Sequence, residues 1–577
     1  MKLAFLIAPL ILLASFAQAK DRYLVQFKSE QGFKAMESYF SMESTNSDMQ
    51  KSLGNVHAIV LKTKNMNLIN RLKNHPEVEY IEAETFIPSP KPVNGFKISR
   101  VNVNVFEKAR RSQQPTTAPV DFGTVPEFKA GDATPWGILA VNAGDAWAQS
   151  GAGVNSRVLV LDTGIDAGHP AIAANFEKGK NFTAGADGKV VETDYNDTEG
   201  HGTHCSGTIL GAYNTANGFT GVAPKAKLLM GRVCGADGCS SIAIVEGINW
   251  GIQEKVDVIS MSLGGPVGGA GEKNAVMKAD KAGIVVVAAS GNGADAPTYS
   301  PDKKDPKCGG AGNPFAPNTC GVSFPGAFPT VVAVGAVDST LAKTNFSQWG
   351  PELDVTGPGA AVVSSIPRGT GRESHVELIV NNVNRTVKSS AFGGTELFVT
   401  PVINSLVVVP GVGKPEDFAN VKVEGKFALI SRGEIKFADK VKNAIDAKAA
   451  GVVIYNNKPG LMQGSLSEDG SLLNIPVVMI EQVDGAALVA ELTKGGVASA
   501  AISTTPSDYA AFDGTSMATP HVAGVVALIR SANKKLTPAQ VRLILTSTAK
   551  ALAPNDTNQF GSGIVQADAA VRKAVGQ

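Results

Sequence analysis

The sequence predicts an α/β protein: a doubly wound, mostly parallel sheet, interrupted by an inserted β-rich domain and preceded by a small α+β unit. Three patterns lead to that class. Apolar runs beginning at Val158, Leu228, Val256, Ile284 and Val331 alternate with helix-compatible stretches, as in a sheet with helices on both faces. Between about residues 371 and 505 this gives way to closely spaced strand-like runs at 406–409, 426–430, 451–455 and 475–480. Ahead of residue 90, segments 23–27 and 56–61 read as strands, with helical stretches near 30–42 and 65–74.

In chain order, Lys2 precedes an apolar stretch at 3–13, and Ala17-Gln18-Ala19 is a small-residue cleavage pattern. Residues 1–19 therefore read as a signal peptide, and the expected address is extracellular or periplasmic. No later stretch is long and apolar enough to cross a bilayer. Residues 20–90 form the α+β unit. Residues 91–134, rich in Pro, Thr and Gln, read as a linker, in which the Arg110-Arg111 pair is taken as solvated charge. Residues 135–370 and 506–577 supply the main α/β domain, and 371–505 the insertion. A helix over about 437–450 in the insertion puts Phe437, Val441, Ala444 and Ile445 at core spacing. The last helix is expected at Thr537-Pro538-Ala539-Gln540, a capping box with Pro at the first helical position.

The 577 residues are 43% hydrophobic and 18% charged, the balance of a globular protein of several domains. A formal net charge of +1 leaves no basic excess. Nucleic acid is thus not an expected partner, and neither is a membrane surface.

Three segments carry chemistry: Leu161-Asp162-Thr163-Gly164, His201-Gly202-Thr203-His204 and Gly514-Thr515-Ser516-Met517-Ala518. A Ser hydroxyl is a weak nucleophile, so it needs a base within reach and a third group to orient that base. Imidazole suits the base, because it takes and returns a proton near neutral pH. Asp162 ends the apolar run 158–161, at the carboxyl end of a strand, where open α/β sheets build their sites. Ser516 opens a long helical pattern, so its N–H is one of the free donors of a helix start and can hold an oxyanion. Asn292, just after the apolar strand 284–289, can supply a second donor. The pattern is that of a hydrolase with a Ser nucleophile.

These segments resemble the subtilisin (subtilase) family of serine endopeptidases. The resemblance is carried by residues 514–521 (GTSMATPH), 201–207 (HGTHCSG), 258–265 (VISMSLGG), 221–224 (GVAP) and 326–338, and it covers most of 135–370 and 506–570. It implies a catalytic triad of Asp162, His201 and Ser516, an oxyanion hole from Asn292 and Ser516, and an acyl-enzyme. It implies backbone pairing of an extended substrate along Ser262, Leu263 and Gly264, and a specificity pocket lined by Ala289, Ser290 and Gly291, tolerant of apolar or aromatic side chains. Structural roles are implied for His169, His204 and His521. Residues 75–82 resemble the end of a subtilisin propeptide, so 20–90 is expected to guide folding and then inhibit as an intramolecular partner, with self-processing within 91–134. Trp136-Gly137-Ile138 resembles the start of a mature catalytic domain. The segment at 425–457 resembles a protease-associated (PA) domain, which would cover or extend the substrate cleft.

Five cysteines leave one unpaired, and close spacing favours disulfides Cys234 to Cys239 and Cys308 to Cys320. Cys205 is then a free buried thiol beside the catalytic His, as in the branch of the family that resembles proteinase K. A zinc site from His201, His204, Cys205, Cys234 and Cys239 fits poorly, for the ligands lack suitable spacing. The chemistry needs no cofactor. Structural calcium stays open: Ala171 follows His169-Pro170 where simple relatives carry Asp, while Asn214 and Asn217 retain oxygen donors. The expected partners are protein or peptide substrates, and the expected state is a monomer.

Overall fold

The computed structural model describes residues 21–42, 49–93, 134–185, 189–213, 219–296, 299–302, 320–458, 461, 464, 466 and 471–577. The signal segment, most of the linker with Arg110-Arg111, Asn214, Asn217 and Cys308 lie outside them. Seven strands form the central sheet, in the order Val355–Pro358, Val331–Val337, Val285–Ala289, Val258–Met261, Arg157–Asp162, Lys227–Arg232 and Phe176–Asn181. Every pairing in it is parallel.

Its strands read as continuous apolar runs because both faces are covered. Successive side chains point to opposite faces. Val158 and Val160 pack with Val522, Val525 and Ile529 of the helix Thr515–Ala532. Leu159 and Leu161 pack with Ile242, Val245 and Ile248 of the helix Ser241–Glu254. The sheet is doubly wound as expected. Strands on one side of Arg157–Asp162 come earlier in the chain than those on the other, so the order reverses between Arg157–Asp162 and Val258–Met261. Side chains at the carboxyl ends of these two strands face a ready-made crevice.

The N-terminal unit is a four-stranded antiparallel sheet, Met49–Leu53, Ala58–Lys62, Arg22–Phe27 and Val78–Ala83 in spatial order. Val25, Phe27, Ile59 and Leu61 face its helices Glu30–Met42 and Met66–Lys73. Leu24, Leu53, Val56 and Val60 point the other way and join the core of Ser241–Glu254 and Ala270–Lys281.

The insertion has an eight-stranded mixed sheet. Its first and last long strands, Gly371–Val380 and Ala498–Ser507, pair antiparallel along their whole length, so the chain leaves and returns as one ribbon. The helix there spans Phe437–Asp446, shorter than expected, because Lys448 takes a left-handed φ of 64° just beyond it. Ile445 is 38% exposed rather than core. The buried stripe instead continues through Lys440, whose ammonium donates to the carbonyls of Val412 and Ser431. The capping box at Thr537 and Gln540 forms, but its helix Pro538–Thr548 is not the last: Thr557–Phe560 and Ala567–Ala574 follow.

Candidate active site

Asp162 is the final residue of its strand and is fully buried. Its Oδ1 accepts from Thr163 N–H at 2.7 Å and from His201 Nδ1 at 2.8 Å. His201 opens the helix His201–Leu210 behind Gly200, whose φ of 86° turns the chain sharply into the helix. Gly202 is needed one residue on, since a Cβ there would lie 2.2 Å from Gly164 O. Burial is the largest single influence on His201 and works against an imidazolium, but the charge and hydrogen bond of Asp162, together with the neighbouring Cys205 sulfur, outweigh it and hold the pKa well above its usual value.

Ser516 lies in the first turn of Thr515–Ala532 and is 4% exposed. Pro520, four residues on, has no N–H to give to Ser516 O. Ser262 Oγ donates to that carbonyl at 2.8 Å instead, and Cys205 Sγ approaches it at 3.5 Å. The Ser516 hydroxyl donates to Ser262 O at 3.0 Å, and His201 Nε2 makes no hydrogen bond among the described residues. In this conformer the Ser516 to His201 bond expected of an activated nucleophile is not made.

Asn292 follows the strand Val285–Ala289, and its Oδ1 accepts from Thr515 N and Oγ1 at 2.9 and 2.8 Å. That fixes the amide and leaves its NH2 end to donate. A Cβ on Gly514 would sit 3.5 Å from Asn292 Nδ2 and 3.6 Å from Ser516 N, so two donors converge on the space this glycine leaves open. The arrangement can hold an oxyanion beside a Ser hydroxyl.

The other expected residues fall around this point. Leu263 is buried, while Gly264 sits close enough to Phe324 that a Cβ would meet its carbonyl at 2.9 Å. Ala289 and Ser290 are buried, and Gly291 N–H donates to Thr515 Oγ1 at 3.2 Å. His169 and His204 reach the carbonyls of Asp508 and Val362, and His521 donates to Met517 O. Burial pushes His204 down to about 3 and His521 to about 4, so both are neutral packing groups. Cys234 and Cys239 form a disulfide, and so are not a thiolate pair for zinc. Cys320 is also disulfide-bonded, and Cys205 is free and buried. Among the described residues the one clustered set of metal-ligating types is Asp162, His201 and Cys205, the Asp and His pair with its neighbouring thiol. No helix among the described residues is long and apolar enough to cross a membrane.

Two features escaped the sequence. One is the hydroxyl of Thr515, which holds both Asn292 and Gly291; its place beside Ser516 was the available signal. The other is Asp197, whose carboxylate gathers the loops around Asp162 and His201 and which no periodicity marks.

A model of the subtilase family matches residues 153–394 and 477–563, and a PA-domain model matches 400–488, beginning after the first stretch and overlapping the start of the second. The "Major intracellular serine protease" of Bacillus subtilis (strain 168) is 38% identical over 235 residues, 40% of this chain and 67% of that protein. "Subtilisin E" of the same strain is 39% identical over 238 residues, 41% of this chain and 55% of that protein. The match thus spans little more than half of subtilisin E. The crystal structure of the psychrophilic subtilisin-like protease Apa1 from the Antarctic psychrotroph Pseudoalteromonas sp. AS-11 aligns over 78% of this chain and 100% of that one, with 27% identity and a TM-score of 0.56. Family models, relatives and structural neighbour agree: the chain belongs to the subtilase family of serine proteases, with a PA domain inserted in the protease fold.

Proposed function

We propose that this protein is an exported serine endopeptidase that cleaves proteins through Asp162, His201 and Ser516. The observation that carries it is the His201 to Asp162 bond beside a nucleophile position at which Asn292 Nδ2 and Ser516 N converge. The Ser516 hydroxyl first turns from Ser262 O to His201 Nε2. As Oγ attacks the substrate carbonyl, its proton passes to Nε2, and the resulting imidazolium is stabilised by Asp162. The tetrahedral oxyanion accepts from Asn292 Nδ2 and Ser516 N. Collapse gives the acyl-enzyme as His201 protonates the leaving amine, and water reverses the sequence to release the acid. No cofactor takes part. Ser262, Leu263 and Gly264 would pair with an extended substrate, and Ala289, Ser290 and Gly291 would line its first pocket.

We read residues 20–90 as a propeptide that inhibits its own enzyme. In support, Ser241 N–H donates to Thr85 O, and Phe86–Ile87 pairs antiparallel with Gly238–Ser240. Ser89 Oγ donates to Gly235 O, and Val93 N–H to the carbonyl of Asp513, three residues before Ser516. Pro88, Pro90 and Pro92 make alternate bonds of this tail tertiary amides. The maturation cut then belongs beyond it, and the matured protein is a monomer.

A serine-directed fluorophosphonate on secreted, matured protein tests the reading. Labelling confined to Ser516, with casein hydrolysis lost in Ser516→Ala, is the expected result. Unchanged hydrolysis in that variant overturns it.

A further inference from the structure

The carboxylate of Asp197 touches both halves of the site yet has no part in the proton transfers. It is 9% exposed. Its Oδ1 accepts from Thr163 Oγ1 at 2.9 Å, Gly200 N at 2.7 Å and Glu199 N at 3.0 Å. Its Oδ2 accepts from Thr203 N at 2.9 Å and Thr203 Oγ1 at 2.6 Å. All five partners donate, so the arrangement suits the acceptor-only carboxylate. Thr163 belongs to the turn that carries Asp162, and its own N–H donates to Asp162 Oδ1. Gly200 and Thr203 flank His201 at the start of its helix. Thr163 Oγ1 closes the loop by accepting from Gly202 N at 2.9 Å.

We propose that Asp197 is a positioning residue for the hydrolysis: one buried carboxylate, shared by the turn bearing Asp162 and the helix start bearing His201, sets the distance and angle at which these two groups meet. This rests on the triad reading above. Strand and helix are separate elements, and packing alone does not fix the angle at which a carboxylate on one meets an imidazole on the other. Four of the five donors fix the Asp197 carboxylate against the start of the His201 helix, and the fifth, Thr163 Oγ1, fastens the turn bearing Asp162 to it. Loosening it would misalign the imidazole, for which about 1 Å of misplacement costs on the order of 100-fold in rate.

The test uses Asp197→Asn, whose amide turns a donor toward N–H or hydroxyl groups, and Thr163→Val, which deletes only the hydroxyl linking Asp197 to Gly202. Ser516→Ala is run alongside, so that failure of the triad reading registers separately as retained hydrolysis. For both variants kcat falls about 10- to 100-fold with KM within threefold, and the double variant is little worse than Asp197→Asn. The acid limb of kcat/KM moves to lower pH, because an imidazolium less well held by Asp162 loses its proton more readily. Thr163→Ser restores most of the rate. If Asp197→Asn does not mature, Thr163→Val decides alone. A folded variant with kcat within twofold of the parent, or a lowered melting temperature with an unmoved acid limb, overturns the proposal.

Discussion

Replacing Glu82 by Ala should loosen the N-terminal unit from the protease. Glu82 is in the strand Val78–Ala83, and its two oxygens accept from Ala270 N at 2.6 Å and Gly271 N at 2.7 Å. Those are free donors at the start of the twelve-residue helix Ala270–Lys281, where the helix dipole also favours an anion. A hydrogen bond to a charged group contributes about 1.5–3 kcal/mol. Glu82 is partly exposed, so the pair together is discounted to about 2 kcal/mol. That corresponds to an inhibition constant weaker by about 30-fold. The assay is titration of matured enzyme with the 20–90 segment, with and without Glu82→Ala. Any cost of folding the free segment cancels in the ratio, because Glu82 caps a helix of the protease and not one of its own. A change below threefold would refute the assignment of this contact as an anchor.

The carboxyl of Glu272, in the first turn of that helix, is pushed up to about 8 by burial and then by neighbouring Glu82. Its pKa is raised in the docked state, so docking is strongest at low pH, weakens as pH climbs from the ordinary carboxylate range to about 8, and changes little beyond; activation of the full chain should quicken between about pH 5 and 8, and Glu272→Gln should flatten that dependence. Asn292→Ala removes one donor to the oxyanion, and kcat should fall about 10- to 100-fold with KM within threefold, from the strength of a hydrogen bond to a charge. Cys205 Sγ lies 3.8 Å from His201 Nδ1, so mercuration should abolish activity, whereas Cys205→Ala should be active and resistant; full activity after complete modification would exclude crowding of His201. Deleting 371–505 should alter preference among protein substrates more than hydrolysis of a short peptide, and equal loss on both would refute a role for the insertion at the cleft.

What could be read from the chain was whatever depends on neighbours in sequence. The sheet was legible because strands buried on both faces are unbroken apolar runs, and Asp162, His201 and Ser516 because each sits where a strand ends or a helix begins, near a glycine: Gly164, Gly200 and Gly202, and Gly514. Lys440 was not, since a lysine is assigned to solvent unless two carbonyls such as those of Val412 and Ser431 are known to await it. The ribbon strands were missed too: Gly371–Val380 mixes Arg, Glu, Ser and His with apolar residues because it is only partly covered. Asp197 draws four of its five donors from residues 199–203, but its meaning for the site comes from the fifth, Thr163 Oγ1, which only folding brings beside it. The Ser516 conformer likewise depends on a carbonyl, that of Ser262, which belongs to another strand's end.

The insertion is rooted in the site's own packing. Val362–Ser365 pairs antiparallel with Tyr509–Phe512, and the second strand runs on into Gly514, Thr515 and Ser516. Cys205, Val362, Ile366, Ala510, Phe512 and Met517 form one buried cluster between the His helix and the Ser helix. His204 stacks on Phe512 with ring centroids 4.4 Å apart, while Ser364 and Ser365 donate to the carbonyls of His204 and Thr203. This root fixes the helices that begin at His201 and Thr515 whatever hangs beyond it. Beyond the root the ribbon holds its two ends together, from Gly371 opposite Ser507 to Val380 opposite Ala498. Closing a longer loop across ends already paired costs only a term logarithmic in its length. The chain can therefore carry a whole extra domain within a few residues of Ser516, and change what reaches the cleft, without moving the groups that would cut.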